Sequence, residues 1–316
     1  MAESTPLRQP AARPLAGPPR PAAHTPGPRP GPLRPTPPEQ LFTREALQRA
    51  WLAIKQAGGG AGVDGMTLDH FGRQLDTELG TLQQELAGGR YRPQPARQVM
   101  VPKASGGMRP LALWALRDRI AQRVVYELIA PPFEATFLPS SYGFRPGLGV
   151  EDAVRHLAAH RDDNRQWVVN ADIQRCFDEI DSRRLVTLVQ RQVHDRLVMG
   201  YVRGWIEHRI LNSADGVPRK AGASQGNVLS PLLANIYLHP FDCMLAGQGL
   251  VHLRYADNFV ICCRRKAEAE TAMATAQAAL QRIGLRLNAS KSSVVNFQGG
   301  FAWLGYFFVR RECYRI

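Results

Sequence analysis

The sequence predicts an α+β protein in which helices cover one face of an antiparallel sheet. Short apolar runs of strand length alternate with longer amphipathic segments of helix length after residue 98. Residues 250–264 form two β-rich runs around a tight turn, which is typical of an antiparallel hairpin. With 316 residues and 44% hydrophobic side chains, the chain can also bury a substantial core.

The first 38 residues have a different composition from the rest. More than half of the prolines lie here, among alanine, glycine and isolated arginines. Such a segment has too few large apolar side chains to build a packed core. We therefore expect residues 1–38 to form a disordered tail rich in polyproline II structure.

The next elements are predicted from capping and helix-breaking residues. Thr43 can cap a helix that the glycines at 58–60 end, and a second helical stretch covers residues 69–86. A strand follows, ending at Pro102. A helix beginning near Leu116 is expected to end at the consecutive prolines 131–132, because proline lacks the backbone N–H that a helix interior needs.

From residue 167 onward the prediction is a sheet with interspersed helices. Residues 167–173 form an apolar strand, and Asp181 can cap the helix that follows. Residues 228–245 and 266–283 predict long helices on either side of the hairpin, and residues 285–287 start another strand.

The charge balance points to a polyanionic partner. Forty Lys and Arg residues against 27 Asp and Glu give a formal net charge of +13 and a pI near 10.1. Nucleic acid is the first expectation, because each neutralised phosphate releases counterions, and an anionic membrane surface is the second.

Cysteine usage and hydropathy indicate the compartment. The five cysteines show no CxxC spacing and no zinc-like arrangement with histidine, so a reduced, intracellular protein is expected. No apolar run reaches membrane-spanning length, and the N-terminus lacks the apolar stretch of a secretory signal. We therefore expect a cytoplasmic protein without a membrane contact.

Two aspartates stand where strands end. Asp172 follows the apolar run Val168–Val169, and Asp257 lies at the tip of the predicted hairpin. Each has an ordinary explanation, as a cap, an ion-pair partner or a turn residue. If the two strands lay side by side, the carboxylates would repel one another unless a divalent cation lay between them, and Mg²⁺ suits such hard oxygen ligands.

The remaining motifs resemble bacterial group II intron-type reverse transcriptases in order and spacing, from about residue 58 to residue 308. They are Gly62-Val63-Asp64-Gly65, Val101-Pro102-Lys103, Gly107-Met108-Arg109-Pro110-Leu111, Arg117-Asp118-Arg119, Ser141-Tyr142-Gly143-Phe144-Arg145-Pro146-Gly147, Ala171-Asp172-Ile173 with Phe177-Asp178, Ser224-Gln225-Gly226, Leu229-Ser230-Pro231-Leu232-Leu233-Ala234-Asn235-Ile236-Tyr237-Leu238, Arg254-Tyr255-Ala256-Asp257, Leu287-Asn288 with Lys291, and Phe301-Ala302-Trp303-Leu304-Gly305-Tyr306. So many motifs in the same order make a chance match negligible.

The resemblance implies a right-hand polymerase fold with an antiparallel palm sheet packed with helices. It places the fingers and an N-terminal extension in residues 39–165. The palm would be residues 166–316, with a fingers insertion at about 205–225. A thumb is expected to be missing or truncated, because the chain stops a few residues after the last palm block.

The resemblance also implies an RNA-directed DNA polymerase that extends a DNA or RNA primer on an RNA template. The metal ligands would be Asp172, Asp257 and the carbonyl of Ile173, holding two Mg²⁺ ions, with Mn²⁺ as a possible substitute. Asn258 would complete the catalytic group. The residues expected around the incoming dNTP are Lys103, Arg109, Phe177, Gln225 and Lys291.

The chain departs from the family pattern in the hairpin and beside the Gln225 motif. The family hairpin usually ends in two aspartates, whereas here the second is Asn258, and one negative charge is lost beside the metal ions. Ala223 and Asn227 flank Ser224-Gln225-Gly226, where the family usually has Pro before the Gln and a second Gly after the first. These departures leave a second hypothesis open, namely a catalytically impaired RNA-binding protein. It would serve as a splicing cofactor or in a defence or CRISPR-associated assembly. For a polymerase, a partner protein is expected to supply the thumb that grips primer and template.

Overall fold

A computed structural model describes residues 30–102, 106–212, 218–220 and 226–316, with the backbone alone for 209–212 and 218–220. The helices are α1 Pro38–Leu41, α2 Arg44–Ala57, α3 Leu68–Arg73, α4 Leu75–Ala87, α5 Leu116–Glu134, α6 Val150–Asp162, α7 Cys176–Glu179, α8 Ser182–Gln190, α9 Arg196–Glu207, α10 Ser230–Gly247 and α11 Lys266–Arg282. The strands are β1 Ala96–Pro102, β2 Met108–Leu113, β3 Trp167–Asp172, β4 Arg209–Asn212, β5 Pro218–Lys220, β6 Val251–Tyr255, β7 Asn258–Cys263, β8 Ser293–Asn296, β9 Phe301–Trp303, β10 Tyr306–Val309 and β11 Glu312–Arg315.

The N-terminal segment joins the folded structure earlier than predicted. The backbone N–H of Leu33 donates to the carbonyl of Gln192 at 2.7 Å, and His194 N–H donates back to the Leu33 carbonyl at 2.8 Å. The boundary of the expected tail at residue 38 is therefore wrong. The pairing could not be foreseen, because its partner strand segment lies about 160 residues further along the chain.

The helices that follow show both a correct prediction and a correction. Thr43 caps α2 as predicted, since its hydroxyl accepts from the Ala46 N–H at 3.2 Å. The single helix expected over 69–86 is wrong, because the backbone leaves helical geometry at Gln74 and produces α3 and α4. The bend lets Phe71 of α3 stack on Trp51 at 5.1 Å while α4 buries its own leucines.

The predicted end of α5 before the two prolines is also wrong. The helix continues through Pro131 and Pro132 to Glu134. Pro132 and Phe133 are buried there, and the Ala135 N–H donates to the Pro131 carbonyl at 3.2 Å. Core packing therefore outweighs the cost of a proline inside a helix, which is about 3 kcal/mol.

The central sheet has the strand order β6-β7-β3-β8 and is antiparallel throughout. The predicted hairpin is confirmed as β6 and β7. The strand expected at 285–287 is reduced to a single bridge between Ile173 and Leu287, and β8 begins only at Ser293.

Both faces of this sheet are covered, so the expectation of helices over one face is wrong. Val169 and Ile261 point into the main core, against which α10 and α11 pack. Val168 and Val260 point to the opposite side, into a smaller core formed with α6 and β9–β10. The runs in β3 and β7 are apolar at consecutive positions because both of their faces are buried.

A second sheet has the order β2-β1-β4-β5, in which β1 pairs parallel with β4, and a third sheet has the order β11-β10-β9. This pairing brings β4 beside β1, although more than 100 residues separate the two strands in sequence. Among the helices of the described ranges, none is long and apolar enough to cross a membrane.

Candidate active site

The two predicted aspartates meet at one end of the central sheet. Asp172 is the last residue of β3 and lies opposite Asn258, the first residue of β7. Asp257 occupies the turn between β6 and β7, and its carbonyl accepts from the Ile173 N–H at 3.0 Å. This antiparallel register joins the two carboxylate-bearing segments directly.

The carboxylates of Asp172 and Asp257 are close enough to repel each other. Burial raises the pKa of Asp257, and the negative charge of Asp172 raises it further. The Lys291 ammonium lies 3.9 Å from Asp172 Oδ2 and opposes this effect, although its side chain is 66% exposed. The site therefore has an excess of negative charge in a partly desolvated position.

An asparagine amide holds each carboxylate. Asn258 Nδ2 donates to Asp257 Oδ1 at 3.3 Å, and Asn288 Nδ2 donates to Asp172 Oδ1 at 3.2 Å. The Asn288 N–H also donates to the Asp172 carbonyl at 2.8 Å. Asn288 was recognised in the sequence only as part of a motif, and the structure shows that it supports the first aspartate.

The donor set fits a divalent cation, which would relieve the repulsion between Asp172 and Asp257. Carboxylate and carbonyl oxygens are the hard ligands that such ions take. Within the described ranges, no group of three or more His, Cys, Asp and Glu side chains is arranged to hold a metal. Asn258 carries an amide, so the hairpin turn and the end of β3 together bring two carboxylates to the site.

The predicted nucleotide-binding residues lie in different places. Phe177 is half-buried in α7, immediately after the strand that carries Asp172, and packs on the main core. Arg109 is exposed on β2, in the sheet formed by β1, β2, β4 and β5, and pairs in register with Val101. Lys103 and Gln225 lie outside the described residues.

Residues of three sequence motifs meet beneath the hairpin, which sequence reasoning did not predict. Arg254 is completely buried and bonds with Ser141 and Asn235, which belong to two other motifs. A charged residue inside the apolar β6 segment was the signal available in the sequence, since such a side chain requires buried partners.

The family model described as reverse transcriptase (RNA-dependent DNA polymerase) matches residues 101–308. The chain belongs to this family. Protein YkfC of Escherichia coli K12 is 32% identical over an alignment of 325 positions, which covers 86% of this chain and 84% of that protein. The group II intron-encoded protein LtrA of Lactococcus lactis is 32% identical over 193 positions, covering 58% of this chain and 31% of LtrA.

A solved structure agrees on the fold of this reverse transcriptase. Apo telomerase from Candida tropicalis, truncated from its C-terminal domain, superposes with a TM-score of 0.53 at 12% identity. The superposition covers 79% of this chain and 61% of that one, and it concerns the fold alone. The predicted group II intron-type family, right-hand polymerase fold and RNA-directed DNA polymerase function are confirmed. The family uses divalent metals and acts on a nucleic-acid template and primer.

Proposed function

We propose that this chain extends a DNA or RNA primer with deoxynucleotides along an RNA template. The supporting observation is the meeting of Asp172 and Asp257 at the end of β3 and the hairpin turn, where their charges repel. Such a pair suits phosphoryl transfer, in which charge must be balanced around the attacking and leaving oxygens.

In this proposal Asp172, Asp257 and the Ile173 carbonyl hold two Mg²⁺ ions, for which Mn²⁺ can substitute. The metal supplies Lewis-acid stabilisation of the reacting oxygens when bound. Asn258 and Asn288 keep the two carboxylates oriented through their amide hydrogen bonds. Lys291 places a positive charge beside Asp172 and limits the repulsion within the site.

The nucleotide contacts follow from the family resemblance. Lys103 and Arg109 hold the triphosphate of the incoming dNTP, and Gln225 lines the pocket. Phe177 lies against the sugar 2′-carbon and selects deoxynucleotides, for which its half-buried position after β3 is suitable.

The division of the chain belongs to the same proposal. Residues 39–165 form the fingers with an N-terminal extension, and residues 166–316 form the palm. The pairing of β4 with β1 supports the assignment of residues 205–225 to a fingers insertion, because β4 lies within this range and belongs to a different sheet from the palm strands.

The second candidate is a reverse-transcriptase-like protein that binds RNA without polymerising. It is favoured by Asn258, whose amide stands where the family has a carboxylate and donates to Asp257. The net charge of +13 suits RNA binding under either function.

Primer extension on poly-rA with oligo-dT distinguishes the two candidates. The chain is compared with Asp172→Ala and Asn258→Asp in Mg²⁺ and in Mn²⁺. Asp69→Ala serves as the matched control, because it removes an exposed carboxylate on α3, in another part of the fold. We expect extension by the parent chain and the control, and a loss of at least about 10²-fold in Asp172→Ala.

The outcomes separate the candidates clearly. If only Asn258→Asp extends the primer, the parent chain is an RNA-binding protein whose active site has lost its activity. If no variant extends the primer but RNA binding is retained in a gel-shift assay, the polymerase proposal is rejected in favour of the binding protein.

A further inference from the structure

Arg254 connects the active-site hairpin to two distant parts of the chain. It lies in β6, and its side chain is completely buried. Its five N–H groups all have acceptors. These are Asp242 Oδ1 at 2.8 Å, Asp242 Oδ2 at 2.6 Å, Asn235 Oδ1 at 3.0 Å, Ser141 Oγ at 2.8 Å and the Ala256 carbonyl at 3.0 Å.

The contact with the Ala256 carbonyl is the one that reaches the active site. Ala256 directly precedes Asp257 and has a φ of 57°, a left-handed conformation that is unfavourable for a residue with a Cβ. A hydrogen bond from a buried guanidinium to its carbonyl holds the peptide plane in this orientation. The direction of the Asp257 side chain depends on that plane.

The loop that contains Gly143 supports the turn from the other side. A Cβ at Gly143 would lie 2.3 Å from the Ala256 nitrogen, so the two backbones are in direct contact. Asn235 Nδ2 donates to the Gly143 carbonyl at 2.8 Å. The Arg254 backbone also exchanges hydrogen bonds with Ser140 and Tyr142, each at 2.8 Å. Asn235 thus contacts both the guanidinium and the loop that supports the strained turn.

Fold stability alone is a weak explanation for this arrangement. Taking two charges out of water is costly, and replacing a buried ion pair with apolar side chains of similar volume is often neutral or stabilising. Asp242 is completely buried, and although burial opposes ionisation, the adjacent Arg254 charge lowers its pKa below the usual value. The pair is therefore kept charged inside the core.

We propose that Arg254, oriented by Asp242, is a positioning residue that fixes the backbone at Ala256 and thereby aims the Asp257 carboxylate. This inference rests on the proposed function, because it concerns the same two-aspartate site. It assigns to Arg254 a task that a buried apolar side chain cannot perform, namely donating to a carbonyl in the turn.

The test separates positioning from folding with the double variant Arg254→Met/Asp242→Met. This replacement removes both charges together, so neither is left unpaired in the core. Asn235 keeps its bond to the Gly143 carbonyl. Arg161→Lys is the matched control, because Arg161 is also buried and ion-paired, but to Asp162 on α6.

Four quantities are measured for each protein: the melting temperature, the amide hydrogen exchange of residues 255–258, and kcat and KM for dNTP in primer extension. We expect the double variant to melt within a few degrees of the parent chain. Exchange at the turn should rise at least about tenfold, and kcat should fall by about 10- to 100-fold with KM changed by less than about threefold. A displacement of about 1 Å at the reacting groups has an effect of this size.

A folded double variant with unchanged turn exchange and unchanged kcat would overturn the proposal. An equal loss in Arg161→Lys would also overturn it, because buried arginines in general would then be responsible. If the double variant does not fold, Arg254→Lys decides by the same measurements, since lysine keeps the charge but cannot reach all four partners. If the parent chain does not polymerise, the proposed function fails, while exchange at the turn still tests the positioning role.

Discussion

The substitution Asn258→Asp restores the second acidic residue of the family's hairpin, and its effect should depend on metal. In the structure the Asn258 amide donates to Asp257 Oδ1 at 3.3 Å, and Asn258 lies opposite Asp172 in the sheet. A carboxylate at this position removes that hydrogen bond and adds a third negative charge beside two that already repel. We therefore expect a loss of stability without metal and a larger gain with it.

The size of the effect follows from these distances. Two like charges about 4 Å apart interact with about 4 kcal/mol at an effective dielectric constant of about 20. Lys291 and the open side of the site screen part of this, which leaves about 2–4 kcal/mol. For a domain of this size, 1 kcal/mol corresponds to about 2–4 °C, so the metal-free melting temperature should fall by roughly 5–10 °C.

Thermal unfolding in EDTA and in a Mg²⁺ titration at pH 8 measures both effects. The variant should start below the parent chain and rise more steeply with Mg²⁺, because a divalent ion interacts favourably with each added carboxylate. Primer extension by the variant should require less Mg²⁺ than extension by the parent chain.

Asn164→Asp is the matched control, since Asn164 is exposed and has a φ of 61°, a conformation that both residue types tolerate. An equal melting temperature for parent and Asn258→Asp in EDTA, together with an equal response to Mg²⁺, would refute the electrostatic reasoning about the hairpin.

Two further predictions concern Asp118 of α5 and Gly143, which lies beside the hairpin turn. Burial raises the pKa of Asp118 to about 6 from 3.8, against the hydrogen bonds that it accepts from Tyr91 and Gln94. The folded state therefore binds the proton more tightly, and this contribution of roughly 3 kcal/mol is present below pH 4 and lost as pH rises to about 6. In Asp118→Asn, the free energy of unfolding measured with urea should not fall between pH 4 and pH 6. Gly143→Ala should lower the unfolding free energy by about 1–3 kcal/mol and abolish primer extension, because its Cβ meets the Ala256 backbone.

Each of these two predictions has a result that would contradict it. A parallel pH dependence of unfolding free energy in Asp118→Asn and the parent chain between pH 4 and pH 6 would show that another group titrates. Gly200→Ala is the control for Gly143→Ala, because Gly200 is in α9 with open space around it and should become about 0.5–1 kcal/mol more stable. A Gly143→Ala protein as stable and active as the parent would contradict the close contact at the turn.

Local signals in the sequence predicted much of the secondary structure and the pair at the centre of the site. The Thr43 cap, the β6–β7 hairpin and α11 depend on hydrogen bonds and apolar periodicity within a few residues, which a sequence displays directly. The same holds for Asp172 and Asp257, because each follows or joins an apolar strand. The family motifs, in their order, were sufficient to predict the reverse transcriptase function.

Tertiary packing decided what those local signals could not. Helix α5 continues through its prolines because Pro132 and Phe133 are buried in the core that other parts of the chain form. The roles of Ser141 and Asn235 follow from their contacts with Arg254, which is 113 and 19 residues away along the chain. The sequence by itself determined which residues are the candidates for the chemistry, through short-range patterns. Only the folded chain decided what holds them in place, because a buried charge takes its partners from wherever packing brings them.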